Sequence, residues 1–231
     1  MTDFLVKAAG FFLVLGVLLV SPSSAWADDA LVAKIQTRYQ AVNSLSGDFK
    51  QVLVHKESGS RTEQSGTIAF RKPLLVRWEV ITPKREELIV ISETEVWDYI
   101  PGEEIAYKYP VEIVQDSRTM IKVITGQADL REDFKVRADG REDELNKLKL
   151  IPKEATQQIT LAVIWVADDG VIRRAMIQDF FGNENDITFT SLAFDTPLAD
   201  DQFNFSPPAG IDVEDRSGEG LDQPEERRLF Q

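Results

Sequence analysis

Residues 66–101, GTIAFRKPLLVRWEVITPKREELIVISETEVWDYIP, constrain the fold of this chain more than any other stretch. Val76, Trp78 and Val80 alternate with Arg77 and Glu79, the period of a strand with one apolar face. Pro73 has no N–H to give a ladder, so it belongs at a strand start or edge, between a strand ending near Arg71 and one opening at Leu74. Pro83 marks the next break. Residues 88–91 are apolar on both faces, and residues 96–100 bring Trp97 and Tyr99 onto one face. Short strands in such quick succession leave no room for crossover helices, so the stretch predicts an aromatic-walled antiparallel meander.

The N-terminus sets the compartment. Residues 1–7 carry one base, Lys7, partly offset by Asp3, and residues 8–20 form an apolar run of signal-peptide length, short for a membrane span. Small residues and a proline follow, and Ala25-Trp26-Ala27 supplies a cleavage pattern. Residues 1–27 are therefore expected to be a removed leader and residues 28–213 a single domain. From Glu214 the polar, Gly/Pro-bearing run EDRSGEGLDQPEERRLFQ predicts a disordered tail over residues 214–231.

The leader carries one acid and one base, so the net charge of −13 belongs to the exported part. A surface this acidic is poorly suited to nucleic acid or anionic lipid, both of which attract Lys and Arg clusters. The chain has no cysteine. It can therefore form no disulfide despite export, no thiolate metal site, and no lipid-modified N-terminal cysteine.

Along the chain, Asp28-Asp29 caps a predicted helix over about residues 30–42, with Leu31, Ile35, Tyr39 and Val42 on one stripe. Residues 46–57 read as the first strand, Phe49, Gln51 and Leu53 alternating with Lys50, Val52 and Val54. After the meander, Ile105, Tyr107 and Tyr109 alternate up to Pro110. Asp116 or Ser117 caps a short second helix carrying Met120, Ile121, Val123 and Ile124, stopped by Gly126, and residues 127–133 read as a polar connection. Residues 134–138, 145–151, 158–166, 171–179 and 186–194 complete the strands, with hairpin turns at Asp169-Gly170 and Gly182-Asn183. Strands outnumber helices by about ten to two and are joined by short turns, which predicts an α+β fold: a large antiparallel sheet with helices laid on one face.

Catalytic chemistry finds little support. The one histidine, His55, sits between Val54 and Lys56 at a polar strand end without a neighbouring nucleophile, and no G-x-S-x-G, Gly-rich phosphate loop or H-E-x-x-H occurs. The acidic pairs Glu86-Glu87, Glu103-Glu104, Asp168-Asp169 and Asp200-Asp201 are sequence neighbours, which a strand points to opposite faces. The Asn183–Asp186 turn lacks the spacing of a calcium loop. No enzyme, metal site or cofactor is expected. Two short helices cover little of so large a sheet, however, and an apolar face left as a groove is a place for an apolar ligand.

These pieces, in this order, resemble the outer-membrane lipoprotein carrier family, LolA, over about residues 31–213. The first helix is followed by Ser46-Gly47-Asp48-Phe49-Lys50-Gln51, similar to the family's opening strand; then come Gly66, Phe70 to Pro73, Trp78, Pro83, and Trp97-x-Tyr-x-Pro ending at Pro101. Leu150-Ile151-Pro152-Lys153 looks like a mid-chain strand end, and Phe203-Asn204-Phe205-Ser206-Pro207-Pro208-Ala209-Gly210 with Val213 is similar to the C-terminal F-x-F-x-P-P-x-G-x-x-V pattern. The resemblance implies an unclosed half-barrel, its concave face covered by a few helices that form a lid over a hydrophobic cavity. It implies a soluble, monomeric periplasmic carrier that accepts acylated lipoproteins from an inner-membrane ABC transporter and passes them to an outer-membrane lipoprotein acceptor. A lid latch is implied at the basic residue before Pro73, where the family usually has Arg and this chain has Lys72 preceded by Arg71. The turn before the Trp97 strand, Ser92-Glu93-Thr94, also departs from the family's S-D-G. Val76, Trp78, Ile89, Ile91, Trp97 and Tyr99 are the expected cavity wall. The alternative function is a periplasmic regulatory sensor of lipid or lipoprotein on the same architecture.

Overall fold

The computed structural model describes residues 24–82, 85–114, 119–154 and 156–218. Most of the expected leader, Pro83, the caps expected at Asp116 or Ser117, and the tail beyond Gly218 lie outside the described residues. The chain opens with α1 (Ser24–Ala41), then β1 (Ser44–Val54), β2 (Arg61–Arg71), β3 (Leu75–Thr82), β4 (Arg85–Ile91), β5 (Glu95–Ile100) and β6 (Ile105–Pro110). Two short helices follow, α2 (Met120–Ile124) and α3 (Leu130–Asp133). The second half is β7 (Phe134–Glu142), β8 (Leu145–Pro152), β9 (Leu161–Val166), β10 (Ile172–Gln178), β11 (Glu184–Phe189), β12 (Ala193–Phe194) and β13 (Asp212–Asp215).

These thirteen strands join one sheet, in the order β13-β6-β5-β4-β3-β2-β1-β11-β10-β9-β8-β7, with β12 added beside β1. Every pairing is antiparallel except β13 on β6. The expected α+β half-barrel is what forms: among the described residues nothing pairs β13 with β7, so the sheet stays open. β1 sits at its middle because it pairs with β2 on one side and β11 on the other, Phe49 lying opposite both Gly66 and Phe189.

The strand registers run apolar side chains across the sheet in rows. One row is Leu45, Phe70, Val76, Ile91, Val96 and Tyr109. Another is Ile187, Ala175, Ile164 and Leu148. These residues share a single buried cluster with Val32, Ile35 and Tyr39 of α1, Ile121, Val123 and Ile124 of α2, and Leu130 of α3. This helix-covered face is the concave one. Burying each such side chain contributes about 1.5–3 kcal/mol, so the cluster holds the fold without disulfides. Gly66 is required for the tight centre of the face. A Cβ there would lie 2.8 Å from the Phe49 ring and closer still to the Glu79 carbonyl; without one, Phe49 stacks on Trp78 at 3.8 Å between centroids.

Three expectations are corrected. Residues 127–133 are not only a connection: Asp129 accepts hydrogen bonds from Arg131 N and Glu132 N and so starts α3. The strand expected over residues 186–194 is broken after Phe189, its last two residues forming the separate β12 beside β1, and β13 (DVED), exposed along its length, is a strand that periodicity does not reveal. Glu214 and Asp215, placed in the tail by composition, belong to β13, where backbone pairing with Tyr107 and Lys108 outweighs their polarity.

Candidate functional site

The concave face is the surface best suited to an apolar ligand, and α1, α2 and α3 lie on it. Of the expected wall, Val76, Trp78, Ile89 and Ile91 are on this face and buried in its cluster. Trp97 and Tyr99 are not. They point to the convex face, where Val90, Trp97 and Ala106 make a separate small cluster packed by Leu88, Tyr99, Phe205 and Ile211. The cause is strand parity: Ile91 pairs with Val96, so Val96 turns inward and Trp97 outward. Phe205 packs against both rings, 5.6 Å from Trp97 and 5.3 Å from Tyr99.

The two basic candidates also part company. Lys72 donates from Nζ to the carbonyl of Gln40 at 2.7 Å, in the last turn of α1, and its N–H donates to Asn43 O at 2.9 Å. A cation at that point also meets the negative end of the helix dipole. Arg71 turns the other way. Its guanidinium donates to Leu198 O at 3.2 Å and to Asp200 at 2.6 Å, and lies 5.0 Å over the Phe203 ring. Lys72 therefore ties a covering helix to the sheet, and Arg71 ties the C-terminal segment to the convex face. Arg77 adds to the second tie through Gln202 O at 3.4 Å.

The helices are held at few polar points. The Tyr39 hydroxyl accepts from Ile172 N at 3.2 Å, and burial pushes its pKa up to about 12. Lys34 donates to Asp168 O, and Arg131 of α3 donates to Asp29 O at 2.8 Å. Gly126 ends α2 at φ 69°, and a Cβ there would sit 2.2 Å from the Tyr39 ring, so α1 and α2 interlock at this glycine. Lys153 donates from Nζ to Arg131 O at 2.7 Å and from its backbone N to Asp133 O at 2.8 Å, at the end of α3, and most of the remaining cover is apolar contact.

The face opens at one end into a cavity of about 90 Å³ lined by Leu53, His55, Ile113, Thr119, Met120 and Ile177, with Asp179, Asn183 and Asn185 at its polar side. Beneath it runs a buried amide chain: Gln64 Nε2 donates to Gln51 Oε1 at 2.7 Å, Gln51 Nε2 to Asn185 Oδ1 at 2.8 Å, and Asn185 Nδ2 to Met120 Sδ at 3.2 Å. Sequence reasoning does not single out this chain of amides. Its signal is present in Gln51, which takes the inward parity of Phe49 and Leu53 while being only 1% exposed. Met120, Ile121, Val123 and Ile124, expected as a helical group, are buried in α2, and Met120 places α2 beside the opening.

Comparison with known proteins agrees with this geometry. Residues 40–206 match the family model described as outer membrane lipoprotein carrier protein LolA. An outer-membrane lipoprotein carrier protein from Bordetella pertussis is 29% identical over 208 residues, covering 90% of this chain and 96% of its own. One from Methylococcus capsulatus is 27% identical over 202 residues, covering 85% and 95%. Among solved structures, an uncharacterized conserved protein from Thermus thermophilus shares the fold, with a TM-score of 0.53 at 15% identity over 82% of this chain and 99% of that one. With its family match running from the end of α1 to the segment beyond Phe205, and with an open sheet whose apolar face lies under helices, this chain belongs to the LolA family of outer membrane lipoprotein carrier proteins.

Proposed function

We propose that this protein is a periplasmic carrier that shelters the acyl chains of lipoproteins on the concave face of its sheet. In this reading it takes cargo from an inner-membrane ABC transporter and yields it to an outer-membrane acceptor. The observation that carries the reading is the continuous apolar row structure beneath lightly tied helices, in a chain of this family. Each CH₂ of an acyl chain kept from water contributes about 0.8 kcal/mol, so a chain crosses an aqueous space only inside such a container. No covalent step is needed, and the protein acts by binding alone.

The present cavity of about 90 Å³ is well below the roughly 300–1,000 Å³ of ordinary ligand pockets. Cargo must therefore displace the cover. The ties at Lys72, Tyr39 and Lys34 each involve one hydrogen bond, worth about 0.5–1.5 kcal/mol net, so a few buried methylenes offset them. Val76, Trp78, Ile89 and Ile91 are the wall that acyl chains would meet, and Lys72 is the latch. The apolar N-terminal run and its cleavage pattern support export, and no helix among the described residues is long and apolar enough to cross a membrane.

The test is mass spectrometry of what copurifies with the chain from periplasm. Acylated N-terminal cysteine peptides at near one per protein are expected. A protein that carries none, and that fails to release lipoproteins from inner-membrane vesicles containing a working transporter, would overturn the reading.

A further inference from the structure

The turn between β10 and β11 carries Phe180 and Phe181, two adjacent rings that are 68% and 71% exposed. They meet edge to face, with centroids 5.7 Å apart. Polar residues usually occupy such tips, since turns sit in water. Nothing in the sheet needs these rings, because the concave core ends at Ile177 and resumes at Ile187.

The turn is fastened so that the rings stay outward. Asn183 donates from its backbone N and from Nδ2 to the Asp179 carboxylate, each at 2.8 Å. Gly182, at φ 81°, donates to Asp179 O at 3.1 Å. Phe180 N donates to Gln157 O at 3.0 Å, and Lys56 N donates to Asn183 Oδ1 at 3.0 Å, so neighbouring segments grip the turn on both sides. Asp179 and Asn183, which flank the two rings, also line the cavity. Whatever the rings touch is therefore held at its mouth.

We propose that the Phe180–Phe181 tip is a lipid-interface contact, which seats the mouth of the cavity on a bilayer without net charge. Two rings at this exposure present roughly 300 Å² of apolar surface. A stable protein partner takes about 800 Å² per side, and the residues gripping the tip (Lys56, Gln157, Asp179, Asn183) are polar rather than an extension of an apolar patch. A bilayer interface needs no such extension, and aromatic rings prefer that depth. The net charge of −13 selects among bilayers: an anionic surface repels the chain, so the contact is apolar and works on zwitterionic lipid. The contact is independent of any cargo.

The test is cosedimentation with phosphatidylcholine vesicles, comparing the exported chain with its F180S/F181S double variant on the same N-terminus and without cargo. Loss of both rings is expected to lower the partition coefficient by about tenfold or more, with melting temperature unchanged. Raising salt should leave wild-type partition intact, and adding phosphatidylglycerol should weaken it. Because the chain has no cysteine, a fluorophore on F181C reports the tip alone. Its emission should shift to the blue on vesicles, whereas a label on T94C, in the exposed turn at the opposite end of the strands, should not. Equal partition of wild type and double variant would overturn the proposal. So would no partition of either together with loss of binding to a purified transporter in the variant, which would assign the tip to a protein partner.

Discussion

The same strands, β3 to β6, present two apolar faces that are covered in different ways. On the concave face Val76, Trp78, Ile89 and Ile91 meet helices that rest mainly on apolar contact, with isolated hydrogen bonds at Tyr39, Lys34 and Lys72. On the convex face Trp97, Tyr99 and Val90 meet a C-terminal segment fastened by ion pair, hydrogen bond and ring contact through Arg71, Arg77, Phe203 and Phe205. That segment is also anchored at its start. Asn43 N donates to Asp195 at 2.8 Å and Ser44 Oγ to Thr196 O at 2.9 Å. Its end pairs with β6 as β13. Apolar contact alone is non-directional, so a covering helix can be exchanged for another apolar body. A strap with many directional ties cannot.

The largest expected effect separates the two faces at their tryptophans. Trp78→Ala empties the centre of the concave core and ends the Phe49 stack, at a cost of about 3–5 kcal/mol in denaturant unfolding, and acyl-chain uptake should fall with it. Trp97→Ala should cost about 3 kcal/mol while folded protein takes up acyl chains as before. Loss of uptake in folded Trp97→Ala would show that the convex face takes part in binding.

Tyr39→Phe leaves the buried Ile172 N–H without its acceptor and should cost about 1–3 kcal/mol. The hydroxyl has a second signature. Its pKa in the folded protein is about 12 against 10.0 for the free group, so the unfolded chain ionises first. Its contribution is intact below pH 10 and is lost as pH rises toward 12, and Tyr39→Phe should remove that part of the alkaline stability profile.

A smaller effect distinguishes the two basic neighbours. Lys72→Met should cost less than about 1 kcal/mol, yet speed amide exchange in α1 and cargo release. Arg71→Met should instead speed exchange in the segment around Leu198 and Phe203 and leave α1 as protected as before. Identical exchange patterns in both variants would mean that cover and strap open together.

The smallest effect is in acid. The hydrogen bond from Lys108, with a further one from Trp97 Nε1 at 2.7 Å, holds the Glu95 carboxyl below its ordinary pKa of 4.5. A depressed folded pKa stabilises above the unfolded value and is lost as pH falls through the folded one. Acid should therefore loosen the Trp97 side before the Trp78 side, seen as an early change in the fluorescence of Trp97, followed in a Trp165→Phe background, that Glu95→Gln abolishes.

The sheet is legible in the sequence because period two survives in nearly every strand, and parity groups Val76 with Trp78 and Ile89 with Ile91, which the β3–β4 register then sets on one face. Trp97 and Tyr99 mislead for a physical reason. Parity within a strand says which residues share a face, but the turn length sets which face that is, and here Ser92 Oγ accepts from Thr94 N and Glu95 N to fix the turn. The strap is harder to read, yet residues 88–91 hold a sign of it. Leu88 and Val90 are apolar on the face away from the helices, and apolar residues on a second face need a second cover. Arg71 and Lys72 are indistinguishable in sequence because adjacent residues differ only in which side of the strand they leave.

The position of β1 has a consequence for how the molecule comes into being. Its partner β11 lies some 140 residues further along, since Phe49 faces Phe189, and the cover for Trp97 arrives only with Phe205. A chain made from its N-terminus therefore holds its middle strand half-paired until the last quarter has been synthesised. Until then the meander of β1 to β6 and the hairpins of β7 to β10 can each pair locally, but the two halves of the sheet have no seam between them.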